Sequence, residues 1–186
     1  MDNYKYLKAF YNDKLVGTLA KTPDRLVAFE YDNEWLATGF SISPFSLPLQ
    51  KKVYLPKFEP FEGLFGVFND SLPDGWGRLL VDRLLLKNNI NPSEIDNLNR
   101  LAVVQESGMG ALTYKPEHRF ETPQEESYYD KLAQECSKIL ESQSSDNLDE
   151  LFKLGGSSGG ARPKILTKIN GEDWIIKFPS SQDPKY

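Results

Sequence analysis

A glycine-rich loop and the lysine thirteen residues beyond it are the part of the sequence best suited to chemistry. Residues 155–164 read GGSSGGARPK, and the lysine is Lys177. Four glycines and two serines leave backbone N–H groups free to approach a ligand closely, and such a concavity suits phosphate oxygens. Two β-prone runs flank Asn170-Gly171, which predicts a hairpin because both residues tolerate positive φ. The segment is therefore predicted to be a glycine loop, a strand, a turn and a second strand ending near Lys177.

The strand lysine adds a positive charge that could meet phosphates. Alternation along the strand directs Lys177 and Ile175 to one face, and Trp174 and Ile176 to the other. A glycine loop over phosphates, with a strand lysine reaching toward them, is the arrangement of a kinase small lobe. The alternative is a flexible linker, because Gly/Ser runs of this kind are commonly linkers. The loop also lacks the Lys-Ser/Thr of a Walker motif after Gly160, and it fits neither the dinucleotide fingerprint nor the kinase Gly-x-Gly-x-x-Gly.

Composition excludes several kinds of site in these 186 residues, a length that suits one or two domains. One cysteine and one histidine leave no ligands for a Cys/His zinc site, and we expect no metal site of that kind. A single cysteine also excludes an internal disulfide and fits a reducing cytoplasm. No apolar run approaches the ~20 residues that a membrane span needs, and the N-terminus has no charged-then-apolar leader. We therefore expect a cytoplasmic protein with no membrane partner.

The charge is unevenly distributed along this acidic chain. The formal net charge is −5, but residues 155–186 hold five basic and three acidic side chains, against 17 basic and 24 acidic elsewhere. The glycine loop thus lies in the locally basic part of an acidic protein. This favours an anionic ligand there and argues against a broad nucleic-acid surface, so we expect no direct contact with nucleic acid.

The first sixty residues predict a small sheet. Residues 4–10 and 14–20 flank the turn Asn12-Asp13, which predicts a hairpin. Residues 25–31 predict a third strand, and residues 35–40 a short fourth one. Prolines then leave only short extended pieces such as residues 53–55. The aromatic side chains of this region are predicted to fill the core of the sheet rather than to stack on a ligand: Phe29, Tyr31, Trp35, Phe40, Phe45, Tyr54, Phe58 and Phe61.

Helices are predicted in the middle of the chain. Residues 76–88 carry an apolar face that alternates with charged side chains at helical spacing. A second helix is predicted to follow, with Asn91 as its cap and Pro92 in its first turn. This helix leads through a glycine pair into a strand at residues 111–114.

Two further helices are predicted before the glycine loop. Residues 122–125 (TPQE) form a capping box that starts a helix reaching to about residue 140. Cys136 falls on the apolar stripe of that helix, which predicts a core position rather than a reactive thiol. A last helix at residues 148–154 is predicted to stop at Gly155, which would adopt the left-handed conformation of a helix cap.

An ordered series of short segments carries a family resemblance. Two lie around the loop and the lysine, residues 157–164 (SSGGARPK) and 174–179 (WIIKFP). Six lie upstream: residues 15–19 (LVGTL), 29–31 (FEY), 35–36 (WL), 46–49 (SLPL), 68–75 (FNDSLPDG) and 108–112 (GMGAL). In this order they resemble the HipA-type serine/threonine kinases, the toxins of bacterial toxin–antitoxin pairs. The resemblance covers almost the whole chain.

The elements and the resemblance together predict an α+β fold in two domains. Residues 1–154 would form an N-terminal HipA-like domain with a small mixed or antiparallel sheet and several helices. Residues 155–186 would form the ATP-loop and lysine-strand hairpin, the first strands of a protein-kinase-like N-lobe.

The resemblance implies a site residue by residue. The positions that match the family's ATP-phosphate loop and its nucleotide lysine are Gly159, Gly160, Ala161, Arg162, Pro163, Lys164 and Lys177. Ser157 matches the serine that the family autophosphorylates, with Ser158 as the fallback. Nearly two added negative charges there would keep ATP phosphates out of the loop. Arg162 departs from the glutamine most common at its position, and its guanidinium could instead be a second phosphate donor.

The resemblance also implies ligands and partners. The cofactors of the complete enzyme would be ATP and Mg²⁺. The substrate would be an aminoacyl-tRNA synthetase, and the partner a helix-turn-helix antitoxin.

The chain lacks other parts that phosphoryl transfer requires. His118-Arg119 is followed by Phe120 rather than aspartate and precedes the glycine loop, so it is rejected as a catalytic loop. No Asp-Phe-Gly follows Lys177, and we expect no phosphotransfer by this polypeptide alone. Two alternatives stay open: a catalytically inactive module that binds the antitoxin, and an unrelated globular domain with a Gly/Ser linker.

Overall fold

A computed structural model describes residues 4–104, 110–117, 129–141, 148–155 and 159–179. The chain divides into two compact units. Residues 1–72 and 93–119 form one, here called the sheet unit, and residues 73–92 and 120–186 form the other, the loop unit. The predicted domain boundary between residues 154 and 155 stays a prediction, because a compact unit need not coincide with a domain.

The sheet unit contains one five-stranded antiparallel sheet. Its strands are β1 (Tyr6–Tyr11), β2 (Lys14–Lys21), β3 (Val27–Tyr31), β4 (Val53–Tyr54) and β5 (Leu112–Lys115), and their spatial order is β4-β3-β2-β1-β5. Three short helices accompany them: α1 (Asn33–Thr38), α2 (Gly66–Asn69) and α4 (Asn97–Val104). The predicted α+β class is confirmed.

Strand register places the apolar side chains on one face of this sheet. Leu7 pairs with Leu19, Leu19 with Phe29, and Phe29 with Tyr54. Because directly opposite residues share a face, these side chains form a continuous apolar row across four strands. Side chains of α4 lie in the same buried cluster as this row, so the helix completes the core of the unit.

The first hairpin forms as predicted. Asn12 and Asp13 have φ values of 46° and 61°, the left-handed conformations that a tight two-residue turn between antiparallel strands requires. The third strand is likewise confirmed as β3.

The fourth strand predicted at residues 35–40 is wrong, because Asn33–Thr38 is helix α1. Asp32 caps this helix, since its side chain accepts a hydrogen bond from the Glu34 N–H at 2.8 Å. One helical turn lets Trp35 enter the core while its indole N–H donates to the Phe40 carbonyl at 2.9 Å.

The prediction that the aromatic side chains fill the core holds for half of them. Phe29, Tyr31, Trp35 and Tyr54 are buried. The other four are partly or fully exposed, from 36% for Phe61 to complete exposure of Phe45: Phe40, Phe45, Phe58 and Phe61. The buried four lie on β3, α1 and β4, whereas the exposed four lie in the loops that follow these elements.

The second predicted helix starts later than expected. Pro92–Glu94 forms a 3-10 turn, and α4 begins only at Asn97. The reason is Asp96, whose Oδ1 accepts the Asn99 N–H at 2.9 Å and so caps the helix in place of Asn91. The Lys21 ammonium also binds the Asp96 carboxylate. Burial raises the pKa of Asp96, but these hydrogen bonds from Lys21 and Asn99 outweigh it and hold the pKa below its ordinary value.

The loop unit is built from helices and a hairpin. Its elements are α3 (Gly75–Lys87), α5 (Tyr129–Leu140), α6 (Leu148–Gly155), β6 (Lys164–Ile169) and β7 (Glu172–Lys177). Helix α6 packs against α3 and β6. Cys136 on α5 is fully buried, as predicted, and burial together with the neighbouring Glu135 charge raises the pKa of its thiol to about 12. The capping box predicted at residues 122–125 lies outside the described residues.

None of the helices in the described ranges is long and apolar enough to cross a membrane.

Candidate functional site

The hairpin that carries the candidate lysine forms as predicted. Asn170 and Gly171 have φ values of 54° and 84° and make the turn between β6 and β7. In the register of the two strands Lys164 lies directly opposite Lys177, and Ile165 lies opposite Ile176. Opposite residues share a face, so the two lysines stand side by side at the end of the hairpin next to the glycine loop.

The two ends of the loop touch each other. A β-carbon on Gly155 would lie only 2.2 Å from the Lys164 carbonyl oxygen, so only glycine allows the end of α6 to meet the start of β6. The prediction that Gly155 is a left-handed cap is wrong. It is the last residue of α6, and the described glycines with positive φ are Gly63, Gly75, Gly160 and Gly171. Close backbone approach, rather than φ, requires glycine here.

The loop rests on the N-terminus of helix α3. Asp74 occupies the N-cap position of this helix, but its side chain makes no capping bond to the helix. Its Oδ1 instead accepts a hydrogen bond from the Gly160 N–H at 2.5 Å. The Trp76 backbone N–H donates to the Gly160 carbonyl at 2.9 Å. The first turn of α3 therefore binds both the donor and the acceptor of one glycine in the loop.

A glycine in α3 makes this approach possible. Gly75 has φ of 43°, and a β-carbon there would lie 2.6 Å from the Gly160 carbonyl carbon. Any side chain at position 75 would thus push the helix away from the loop. The indole N–H of Trp76 is also buried at this junction, 3.5 Å from where a Gly155 β-carbon would lie, and has no hydrogen-bond partner among the described residues.

Lys164 also binds the loop. The residue is only 7% exposed, and its Nζ donates to the carbonyls of Gly159 and Gly160 at 2.6 and 3.2 Å. Burial lowers the pKa of Lys164; the Asp74 carboxylate opposes this shift and the Lys177 ammonium adds to it. One carboxylate and two ammonium groups therefore interact electrostatically at the base of the loop.

The remaining predicted positions are distributed around this cluster. Pro163 is buried, and its carbonyl accepts the Phe178 N–H at 2.8 Å, which fixes the end of β7 beside the loop. Ala161, Arg162 and Lys177 are exposed. The predicted modification sites Ser157 and Ser158 lie outside the described residues.

Sequence reasoning missed one member of the cluster, Asp74. Asp74 lies directly before the helix predicted at residues 76–88, and nothing in that position pointed to the loop. The loop residue that it binds is 86 positions away, and no local pattern connects the two. Among the described residues, no group of three or more His, Cys, Asp or Glu side chains could hold a metal ion.

The fold is α+β, and Asp74 and Lys164 bind its glycine loop while Lys177 lies opposite Lys164. Comparison with protein families gives the affiliation. Residues 7–115, more than half of the chain, match the family model of the HipA N-terminal domain. The chain belongs to this family, and the resemblance of its upstream segments is confirmed. A search of curated proteins found no match. The glycine loop and Lys177 lie outside the matched residues, so the kinase part of the resemblance stays a prediction.

Proposed function

We propose that this chain is the N-terminal part of a HipA-like serine/threonine protein kinase toxin of a toxin–antitoxin system, and that its glycine loop binds the phosphates of ATP. The observation that carries the proposal is the pairing of Lys164 with Lys177 directly beside the loop, in a chain whose first part is a HipA N-terminal domain. Two neighbouring ammonium groups in an otherwise acidic protein favour a polyanion at this point.

Lys177 is the better candidate for the phosphate ligand. Lys177 is exposed, and it lies directly opposite Lys164, the last residue of the loop. Lys164 by contrast is buried and donates to two loop carbonyls, so its role is to shape the loop while it contributes positive charge. The exposed Arg162 could add a bidentate contact to a phosphate.

Autophosphorylation would regulate this site. We place the modification at Ser157, with Ser158 as the fallback, within the same glycine loop. A phosphate group there would add nearly two negative charges where the ATP phosphates bind, so the modified loop would repel the nucleotide.

The remaining parts of the proposal concern the complete enzyme. Mg²⁺ would accompany ATP, but the described residues contain no cluster of metal ligands, so no step is assigned to the ion. The protein substrate would be an aminoacyl-tRNA synthetase, the partner a helix-turn-helix antitoxin, and the location the cytoplasm. These follow from the family resemblance alone.

A second function is an antitoxin-binding module without catalysis. Two observations favour it: the family match ends at residue 115, before the loop, and the Gly160 N–H is already hydrogen-bonded to Asp74. A module of this kind would keep the sheet unit and its partner surface, and the loop would have a structural role only.

Calorimetric titration with a non-hydrolysable ATP analogue separates the two functions. The variant Lys177→Ala removes the proposed phosphate ligand. Lys168→Ala is the matched control, because Lys168 is an exposed lysine of the same hairpin and pairs with Asp173 at 3.6 Å. An ATP-binding loop predicts binding that Lys177→Ala weakens about tenfold and Lys168→Ala leaves within about twofold, since one charge-assisted contact contributes about 1.5 kcal/mol. Absence of binding by the unmodified chain, or equal effects of the two variants, would favour the module.

A further inference from the structure

The contact between Asp74 and the glycine loop has a chemical meaning beyond packing. Backbone N–H groups of a glycine loop are the donors that would meet phosphate oxygens. The Gly160 N–H already has a partner of the same chemistry, because the Asp74 Oδ1 is an anionic oxygen 2.5 Å from the Gly160 nitrogen. The carboxylate therefore occupies the position of a phosphate oxygen at this amide.

The side chain of Asp74 is directed at the loop rather than at its own helix. An aspartate at an N-cap position ordinarily accepts a hydrogen bond from an N–H group in the first turn. Asp74 makes no such bond, although α3 is thirteen residues long and begins at the next residue. Gly75 and Gly159 permit this orientation, since a β-carbon on Gly75 would meet the Gly160 carbonyl carbon at 2.6 Å, and one on Gly159 would meet the Asp74 Oδ1 at 3.1 Å.

Lys164 adds to the contact between Asp74 and Gly160. The Lys164 Nζ donates to the Gly159 and Gly160 carbonyls, and its charge interacts with the Asp74 carboxylate. The donor and the acceptor of Gly160, together with one ammonium group, are thus satisfied within the protein. A phosphate that approached the loop would meet a carboxylate of like charge and an amide already in use.

We propose that Asp74 is an internal competitor for the phosphate site of the loop, so that a nucleotide binds only when the Gly160 N–H exchanges the carboxylate for a phosphate oxygen. This inference rests on the proposed function, because it assigns a regulation to the same loop. In the resting state the Asp74 carboxylate binds the Gly160 N–H, and Asp74 sets how readily this amide becomes available to a phosphate. Any interaction that draws the Asp74 carboxylate away, such as a new cationic neighbour, would raise the affinity for nucleotide.

Two variants open the contact in different ways. Asp74→Asn removes the charge with little change in shape, and Gly75→Ala separates helix and loop sterically without any change in charge. Asp173→Asn is the matched control, because it removes one exposed carboxylate from β7 at the far end of the hairpin. The affinity of each full-length protein for the ATP analogue is measured by calorimetry, and thermal melts establish that each variant folds.

A second measurement needs no nucleotide. Labelling with ¹⁵N-glycine reduces the amide spectrum to thirteen residues, among which Gly160 can be assigned by substitution. The rate of exchange of the Gly160 amide with water then reports on its hydrogen bond. Asp74→Asn should raise this rate severalfold, whereas Asp173→Asn should leave it unchanged.

The outcomes separate the inference from the proposed function. The inference predicts that Asp74→Asn and Gly75→Ala each tighten nucleotide binding about three- to tenfold, and that Asp173→Asn changes it less than twofold. Binding that is measurable but equal in Asp74→Asn and the unmodified chain overturns the inference and leaves the proposed function intact. Binding that tightens in Asp74→Asn and Asp173→Asn but not in Gly75→Ala, with an unchanged exchange rate of the Gly160 amide, also overturns the inference. Removal of a negative charge would then act only by reducing repulsion of the nucleotide. Absence of binding in every protein overturns both.

Discussion

Substitution of Gly155 by alanine tests how the loop is closed. The added β-carbon would lie 2.2 Å from the Lys164 carbonyl oxygen, about 1 Å closer than carbon and oxygen tolerate. The oxygen belongs to the backbone of β6, so no side-chain rotation can relieve the contact. Helix α6 and strand β6 must therefore separate at the point where the loop begins and ends.

The magnitude follows from two opposing effects. Alanine is favoured over glycine in a helix by about 0.5–1 kcal/mol, and Gly155 has no positive φ that would oppose the change. Overpacking of a rigid contact costs about 1–3 kcal/mol, and a backbone-to-backbone clash lies at the upper end. We expect Gly155→Ala to destabilise the loop unit by about 2 kcal/mol.

Hydrogen–deuterium exchange in increasing denaturant, resolved by peptide, measures each unit separately. Peptides from α6 and β6 should lose protection at lower denaturant in Gly155→Ala, and peptides from β1–β3 should not. The control is Gly110→Ala, where the nearest atoms of the described residues lie 3.7 and 3.9 Å from the added β-carbon and no positive φ is needed. This variant should remain within about 0.5 kcal/mol of the unmodified protein. A similarly small effect of Gly155→Ala would refute the close contact.

Three further predictions concern titratable groups. The lowered pKa of Asp96 stabilises the sheet unit above about pH 4, and this stability is lost as the pH falls through the folded-state pKa; acid unfolding of Asp96→Asn should lack this component. Lys177→Ala removes a like charge and should raise the pKa of Lys164, measured by ¹³C-detected titration of its side chain. An unchanged pKa would show that the charges of the two lysines do not interact. Cys136 should not react with iodoacetamide at pH 8 until the protein unfolds, and rapid alkylation of the native chain would contradict its burial.

Local sequence patterns predicted the hairpins and helices that neighbouring residues determine. The two hairpins follow from Asn12-Asp13 and Asn170-Gly171, because the turn residues themselves supply the left-handed conformations. The apolar faces of α3 and α5 follow from periodicity in the same way. Because the interactions that form these turns and helices involve only a few neighbouring residues, the sequence alone was sufficient to predict them.

The segment around Trp35 shows where a local pattern misleads. Aromatic and aliphatic residues favoured a strand, but Asp32 provides a helix cap two residues before Glu34. Burial of one tryptophan side chain against the sheet outweighed the β propensity of its neighbours. The capping signal was present in the sequence and could have identified the helix.

The candidate site depends on contacts between distant parts of the chain. Gly155 needs to be glycine because of the Lys164 carbonyl, and Asp74 binds an amide 86 residues away. Periodicity and turn propensity carry no information on either contact. The loop and Lys177 could therefore be predicted as candidates, whereas the carboxylate that competes for the loop could be found only from the structure.

An ATP derivative with an acyl group on its terminal phosphate tests the central claim most directly. A lysine amine that lies beside the bound phosphates attacks the acyl carbon, keeps the acyl group as an amide and releases the nucleotide. The acylated peptides are then identified by mass spectrometry, with and without excess ATP. A phosphate site at the loop predicts acylation of Lys177 or Lys164 that ATP suppresses. Acylation confined to exposed lysines of the sheet unit such as Lys51 and Lys57, and unaffected by ATP, would contradict it.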